Sequence, residues 1–261
     1  MNSYLISVVL LLFNVTYSSL LFAQQLPKLT IVTEHLPPFQ MVDKNYAITG
    51  FAVDVVTTTL ENAHYPYSIQ AYPWVRSYNL ALTKPNYCIF SMARIPTREK
   101  QFKWVGKVTE DFNATVWGLS SDRKEINDIN DLKNYVIAVN QNDATHIGMV
   151  ENGFVAGQHL YIHKNSNSLL NLLVTRKEID FIIADDISIT HRAKLANINI
   201  DSLYRAIELK NLPLNFYLAC SLTTDDSIIK ELSLSLEKLY QDGSYQKIVK
   251  KWQNIMPLYS N

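Results

Sequence analysis

The chain has 261 residues, of which 48% are hydrophobic and 18% charged, enough to bury one large core or two modest ones. Its 24 basic side chains balance 24 acidic ones, so there is no net field to attract nucleic acid or an anionic membrane surface. No nucleic-acid partner is expected.

The first charged side chain is Lys28. Ahead of it, Tyr4 to Phe13 forms a short apolar block, followed by a polar, small-residue stretch from Asn14 to Ser19 and by Ala23 before Gln24 and Gln25. An apolar run too short to span a bilayer, then small residues, is the layout of a secretory signal. A signal peptide over 1–23 and export to the periplasm are therefore expected, with an uncleaved anchor as the alternative. Asn14, Thr16 and the serines interrupt the run, which disfavours an anchor. No later run approaches spanning length, so residues 24–261 are expected to be soluble.

Lys28 to Thr33 alternates like a strand, and Gly50 opens a stretch in which apolar side chains recur at 52, 56, 60 and 63, the spacing of a helix. A strand over Tyr67 to Tyr72, a helix over Trp74 to Leu82 and a strand over Tyr87 to Met92 follow. This order predicts an α/β unit with a largely parallel sheet. A second unit starts near Asp128 to Lys133. It continues with a strand over Tyr135 to Val139, helices over Thr145 to Glu151 and Ser166 to Arg176, and a buried strand over Ile179 to Ala184. A strand over Asn215 to Cys220, a helix over Ser227 to Tyr240 and, after Asp242-Gly243, a last helix over Tyr245 to Asn254 complete the chain. Two α/β lobes imply a cleft between them.

Signatures of catalysis are scarce. The seven glycines, at 50, 106, 118, 148, 153, 157 and 243, assemble neither a dinucleotide fingerprint nor a phosphate loop. His159 and His163 have a metal-ligand spacing for a helix, but Leu160-Tyr161-Ile162 between them reads as strand, and no metal or other cofactor is expected. Asp185 and Asp186 sit at a strand end, where neighbours point to opposite faces, so one of them is expected in the cleft. Cys88 and Cys220 lie in apolar strand-like runs. They are either a disulfide or two small buried hydrophobes, and spatial geometry decides between these. Arg94 and Arg98 bracket Pro96 directly after the Tyr87 strand. Each guanidinium is either a carboxylate fork at the cleft or a solvated charge.

Several segments carry a resemblance. Thr33-Glu-His-Leu-Pro-Pro-Phe39, Thr49-Gly-Phe-Ala-Val-Asp54, Pro73-Trp-Val-Arg76, Ser91 to Trp104, Asp242-Gly-Ser-Tyr245 and Lys251-Trp252 occur in the order and spacing of the periplasmic solute-binding proteins of family 3. The chain resembles this family from Leu29 to Trp252. The resemblance implies an α/β, two-lobed periplasmic-binding-protein-like type II fold (Venus flytrap) with a hinge and an inter-lobe cleft. Lobe 1 would comprise 24–112 and the return segment 212–261, and lobe 2 would comprise 113–211, with crossovers near Val108 to Trp117 and Ala206 to Leu214.

The resemblance also implies ligand contacts. Arg98 falls where such receptors hold an α-carboxylate, and Asp185 matches the acid that takes the ligand ammonium, a charge that needs a partner once buried. Ser91 matches a hydroxyl or carbonyl contact, and Trp74, with Phe39 as a further candidate, an apolar or cation-π face. Glu34 and Asp143 add cleft acids. The turn Gln141 to Thr145 departs from the small Gly-containing turn of amino acid receptors: Asp143 there either caps the following helix or favours a ligand with an extra cationic group. The implied function is periplasmic capture of a small polar solute, an amino acid or related compound, by a monomer that delivers it to an ABC permease. The alternatives are an orphan or sensory protein that signals to a membrane receptor, and a periplasmic enzyme resembling cyclohexadienyl dehydratase.

Overall fold

The computed structural model describes residues 26–109, 112–165 and 168–256. The signal peptide expected over 1–23 and the start of the helix expected at Ser166 lie outside the described residues.

Two five-stranded sheets organise the chain. The first contains β1 (Leu29–Thr33), β4 (Tyr67–Ala71), β5 (Tyr87–Ala93), β6 (Phe102–Lys107) and β12 (Phe216–Ser221), in the order β4-β1-β5-β12-β6. The second contains β7 (Asn113–Leu119), β8 (Ile137–Asn140), β9 (Leu160–His163), β10 (Phe181–Ala184) and β11 (Leu203–Pro213), in the order β9-β8-β10-β7-β11. In each sheet the first three strands are parallel and the fourth, β12 or β7, runs antiparallel to its neighbours. The two lobes thus share one topology, each with a fourth strand beside a chain crossing. A small hairpin, β2 (Met41–Val42) and β3 (Ile48–Thr49), projects from the first lobe.

The helices are α1 (Phe51–Asn62), α2 (Trp74–Thr83), α3 (Ala144–Glu151), α4 (Leu169–Thr175), α5 (Asp186–Leu195), α6 (Asp226–Gln241) and α7 (Ser244–Trp252). Most match the periodicity of the sequence within a few residues. Helix α5 was not expected, and neither were β6, β7 and β11. Strands β7 and β11 occupy much of the stretches expected as crossovers, because Leu203 to Pro213 pairs antiparallel with Asn113 to Leu119. What remains between the sheets is two short links, tied to each other by bonds from Val108 N to Phe216 O (2.8 Å) and from Leu214 N to Phe112 O (3.0 Å). The rings of Phe39, Phe112 and Phe216 pack there with centroids 5.1–5.4 Å apart. Phe39 is fully buried in this cluster and does not line the cleft.

Two markers of the resemblance prove to be a single structural tie. Asp54, on α1, accepts bonds from Trp252 Nε1 at 2.7 Å and Lys251 Nζ at 2.6 Å, which pins the last helix to the first. Gly50 is required just before α1: a Cβ there would lie 2.3 Å from the carbonyl oxygen of Phe39, and its φ of 147° lies in a region closed to most side chains. Cys88 and Cys220 face each other on β5 and β12 and form a disulfide spanning 132 residues of sequence. The bridge therefore joins the two chain segments that make the first sheet and encloses the whole second sheet within its loop.

Candidate functional site

In parallel α/β sheets the loops after the carboxyl ends of the strands are free to bind, because the helices cover the faces. Here those loops meet between the lobes. Glu34 follows β1, Ser91 and Ala93 end β5, Asp143 lies just beyond β8 and Asp185 follows β10. They converge on one cavity of about 70 Å³ whose lining includes Glu34, Trp74, Ser91, Arg98, Asp143 and Asp185. All six residues singled out from the sequence thus meet at one place, joined by Arg192, which was not.

Arg98 is 2% exposed, in a 3-10 turn opened by Pro96. Its guanidinium donates to Ala93 O at 3.1 Å and to Asn142 O at 3.0 Å and lies 5.1 Å and 5.3 Å from the ring centres of Trp74 and Tyr78. Its Nε is buried without a hydrogen-bond partner. Burial pushes its pKa down, against the pull of Tyr78, Asp143 and Glu34, but a guanidinium stays charged. Two aromatic faces and two carbonyls thus compensate a cation taken out of water. Arg94 behaves otherwise: it forms a bidentate pair with Glu99 at 2.8 Å and 2.5 Å, half exposed, away from the cavity.

Trp74 is buried, yet its Nε1 donates to Asn142 O at 2.9 Å. One carbonyl of the second lobe therefore takes two donors from the first. Asn142 can present it because its φ is 58°, a left-handed conformation that asparagine tolerates better than most residues. Ser91 also has a left-handed φ, 56°, beside an irregularity in the β5–β12 ladder, and its hydroxyl donates to Gln40 at 2.7 Å. That hydroxyl is committed inside the lobe.

Asp143 and Asp185 have the same local role. Asp143 N-caps α3, accepting from His146 N and Thr145 Oγ1 at 2.7 Å each, and Asp185 N-caps α5, accepting from Ser188 N at 2.7 Å. Asp143 is thus both cap and cavity wall. Burial raises the pKa of both carboxyls; the capping bonds oppose this, as does a nearby guanidinium, Arg98 for Asp143 and Arg192 for Asp185. Strand β10 ends at Ala184, so Asp185 enters the cavity as a helix cap, while Asp186 turns to the surface and pairs with Arg205 at 2.6 Å. Arg192 lies two helical turns beyond Asp185, which puts both on one face of α5. It is 9% exposed, lines the cavity and is held charged against burial by Asp185, Glu34 and Asp143. The i, i+7 spacing from Asp185 was the available signal for it. Among the described residues no cluster of three His, Cys, Asp or Glu could hold a metal ion.

Two lobes of one topology, with charged groups from both on a cavity at the carboxyl ends of their strands, define a two-lobed binding protein. Residues 29–255 match the model of the bacterial extracellular solute-binding proteins, family 3, and the chain belongs to that family. Solved structures agree on the fold. A histidine kinase sensor domain with similarity to periplasmic binding proteins aligns at TM-score 0.77 and 14% identity, over 87% of this chain and 96% of that one. The arginine-, lysine-, histidine-binding protein ArtJ from Geobacillus stearothermophilus aligns at 0.73 and 18%, over 87% and 95%. An ABC uptake transporter substrate binding protein from Streptococcus pneumoniae with bound histidine aligns at 0.73 and 17%, over 86% and 92%. A search of curated protein sequences finds no match. No helix of the described residues is long and apolar enough to cross a membrane.

Proposed function

We propose that the protein is a periplasmic receptor, exported by a signal peptide over 1–23, that captures an amino acid or related small polar solute and delivers it to an ABC transporter. Lobe 1 is formed by 24–112 and 212–261 and lobe 2 by 113–211. The observation that carries this is the meeting of Arg98 from lobe 1 with Asp185 from lobe 2 on one small cavity. A carboxylate needs the first group and an ammonium the second, and only closure puts both within reach of one molecule. Arg98 presents to the carboxylate its unpartnered Nε and the N–H groups left over from its bonds to Ala93 O and Asn142 O. Asp185 takes the ammonium, and Trp74 packs against the body of the ligand. The bonds from Trp74 and Arg98 to Asn142 O hold the lobes together around it.

A sensory role, in which the closed lobes are read by a membrane receptor instead of a permease, is the second candidate. Its support is the sensor domain among the structural neighbours.

A thermal-shift screen of residues 24–261 against amino acids, polyamines, small carboxylates and sugars tests the binding class. A rise of several degrees with an amino acid is expected, since ligand binding to the native state alone stabilises it. Stabilisation only by amines lacking a carboxylate would overturn it.

A further inference from the structure

A second chamber adjoins the cavity. It measures about 440 Å³, and its lining includes Glu34, His35, Tyr46, Tyr72, Trp74 and Lys164. Glu34 and Trp74 belong to both chambers, so they form the threshold between them. We propose that the ligand spans this threshold: a bare amino-acid head fills the inner cavity, and a bulky, flat, uncharged tail lies in the outer chamber against its aromatic walls. This rests on the amino-acid reading of the inner cavity.

The argument begins with size. At about 70 Å³ the inner cavity lies far below the roughly 300–1,000 Å³ of ordinary small-molecule sites, so it has room for the head of a ligand and little more. A carboxylate, its Cα and an ammonium fill that space. Arg192 also lines this cavity and feels the charges of Asp185, Glu34 and Asp143, so a cationic side chain would meet a like charge there. A side chain of any length must then leave past Glu34 and Trp74.

The outer chamber suits a flat apolar group. Tyr46 is 86% exposed, the most exposed large hydrophobic side chain among the described residues, and the β2–β3 turn holds it there. Asp43 Oδ1 accepts from Asn45 N at 2.8 Å and Ala47 N at 2.9 Å, Tyr46 N donates to Asp43 O at 3.0 Å, and Tyr46 itself sits at φ 63°. A hydrogen-bonded turn that offers an aromatic ring to solvent beside a chamber can serve as a stacking surface. Tyr72 supplies a second ring, over which Arg76 lies at 4.0 Å. The charges there nearly cancel, with Lys164 against Glu34. His35 stays neutral, its pKa lowered by burial and by Arg192 while its Nδ1 accepts from Val42 N at 2.9 Å. A cationic tail would meet Lys164 as well as Glu34 and an anionic tail Glu34 as well as Lys164, so neither charge is favoured.

Calorimetric titration with L-alanine, L-tryptophan and L-arginine, on the wild type and on Tyr46→Ala and Tyr72→Ala, tests the proposal. Tryptophan is expected to bind about tenfold tighter than alanine, and each substitution to cut that ratio at least threefold. Because Tyr46 is so exposed, its replacement leaves the fold intact even where Tyr72→Ala does not. Alanine binding as tightly as tryptophan, or an unchanged ratio in Tyr46→Ala, would overturn the two-chamber ligand and leave the amino-acid reading standing. A preference for arginine over tryptophan would overturn the uncharged tail. Failure of all three ligands on the wild type would overturn both.

Discussion

The two walls of the cavity are built differently. Lobe 1 offers donors and rings, with Arg98 and Trp74 held over the cleft by aromatic packing and already reaching Asn142 across it. Lobe 2 offers two of the three acids, Asp143 and Asp185, which also serve as N-caps of the helices behind them, with Arg192 on the same wall, while lobe 1 adds Glu34. One wall is positioned by packing, the other by backbone capping. A helix cap fixes a carboxylate's place precisely and at the same time occupies part of it, so the charge left for a ligand is a remainder. The walls also differ in connectivity: lobe 2 is one continuous stretch of chain, whereas lobe 1 is two segments joined by the Cys88–Cys220 bridge.

That last difference makes the largest prediction. A bridge across 132 residues removes much loop entropy from the unfolded chain, so Cys88→Ser with Cys220→Ser should cost about 3–5 kcal/mol in denaturant unfolding. Hydrogen exchange should rise first in β5 and β12 rather than in lobe 2. Uniform loosening of both lobes would break the contrast.

Next comes Arg192→Ala, which leaves the buried Asp185 without the guanidinium that opposes its rise in pKa. Removing one charge from this buried cluster should lower stability by about 1–3 kcal/mol. Chemical denaturation measures it, and a stability equal to wild type at pH 7 would show that Asp185 finds another partner.

The acids can be separated from their capping role, because asparagine caps a helix as well as aspartate. Asp185→Asn keeps the cap while removing the charge, so the fold should persist by circular dichroism while binding of an α-amino acid weakens by about 2 kcal/mol, through loss of the charged partner to its ammonium. The pH dependence follows from the raised pKa values of Asp143 and Asp185. In the window between the ordinary carboxylate value and the raised folded value, the native state binds more protons than the unfolded one. Stability from these groups is thus full at low pH and is lost as pH rises through the folded pKa. Ligand affinity runs the other way, falling as pH drops and Asp185 is protonated. Melting curves and titrations over pH 4–8 on wild type, Asp143→Asn and Asp185→Asn test both signs.

The smallest effect belongs to Arg94. Arg94→Ala removes an exposed ion pair with Glu99 and should leave ligand affinity unchanged, with little effect on melting.

Much of this contrast was legible in the sequence. Alternation and helical spacing located β1, α1, α2, β5, β8 and α6, and the motif order placed Arg98 and Asp185 where the structure brings them to one cavity. Strands β7 and β11 were missed because they adjoin the chain crossings, and their role depends on pairing across some ninety residues of sequence, which no local pattern records. Arg192 was missed for a related reason. His191, Arg192 and Lys194 make α5 look like a solvated helix, and only its position against the cleft turns one of these cations inward. The clasp through Asn142 was also hidden, since a backbone carbonyl leaves no mark in side-chain chemistry. The question of the two cysteines was settled by register alone: Cys220 pairs with Cys88 across neighbouring strands.

The most direct test of the central claim is a calorimetric titration of wild type and Arg98→Ala with an amino acid that stabilises the wild type, with circular dichroism to confirm the fold. Loss of a charge-assisted fork to the carboxylate should weaken binding by more than about 2 kcal/mol with the fold intact. Equal affinity in the two proteins would contradict it, and would leave Arg98 as no more than the bolt that holds Asn142 between the lobes.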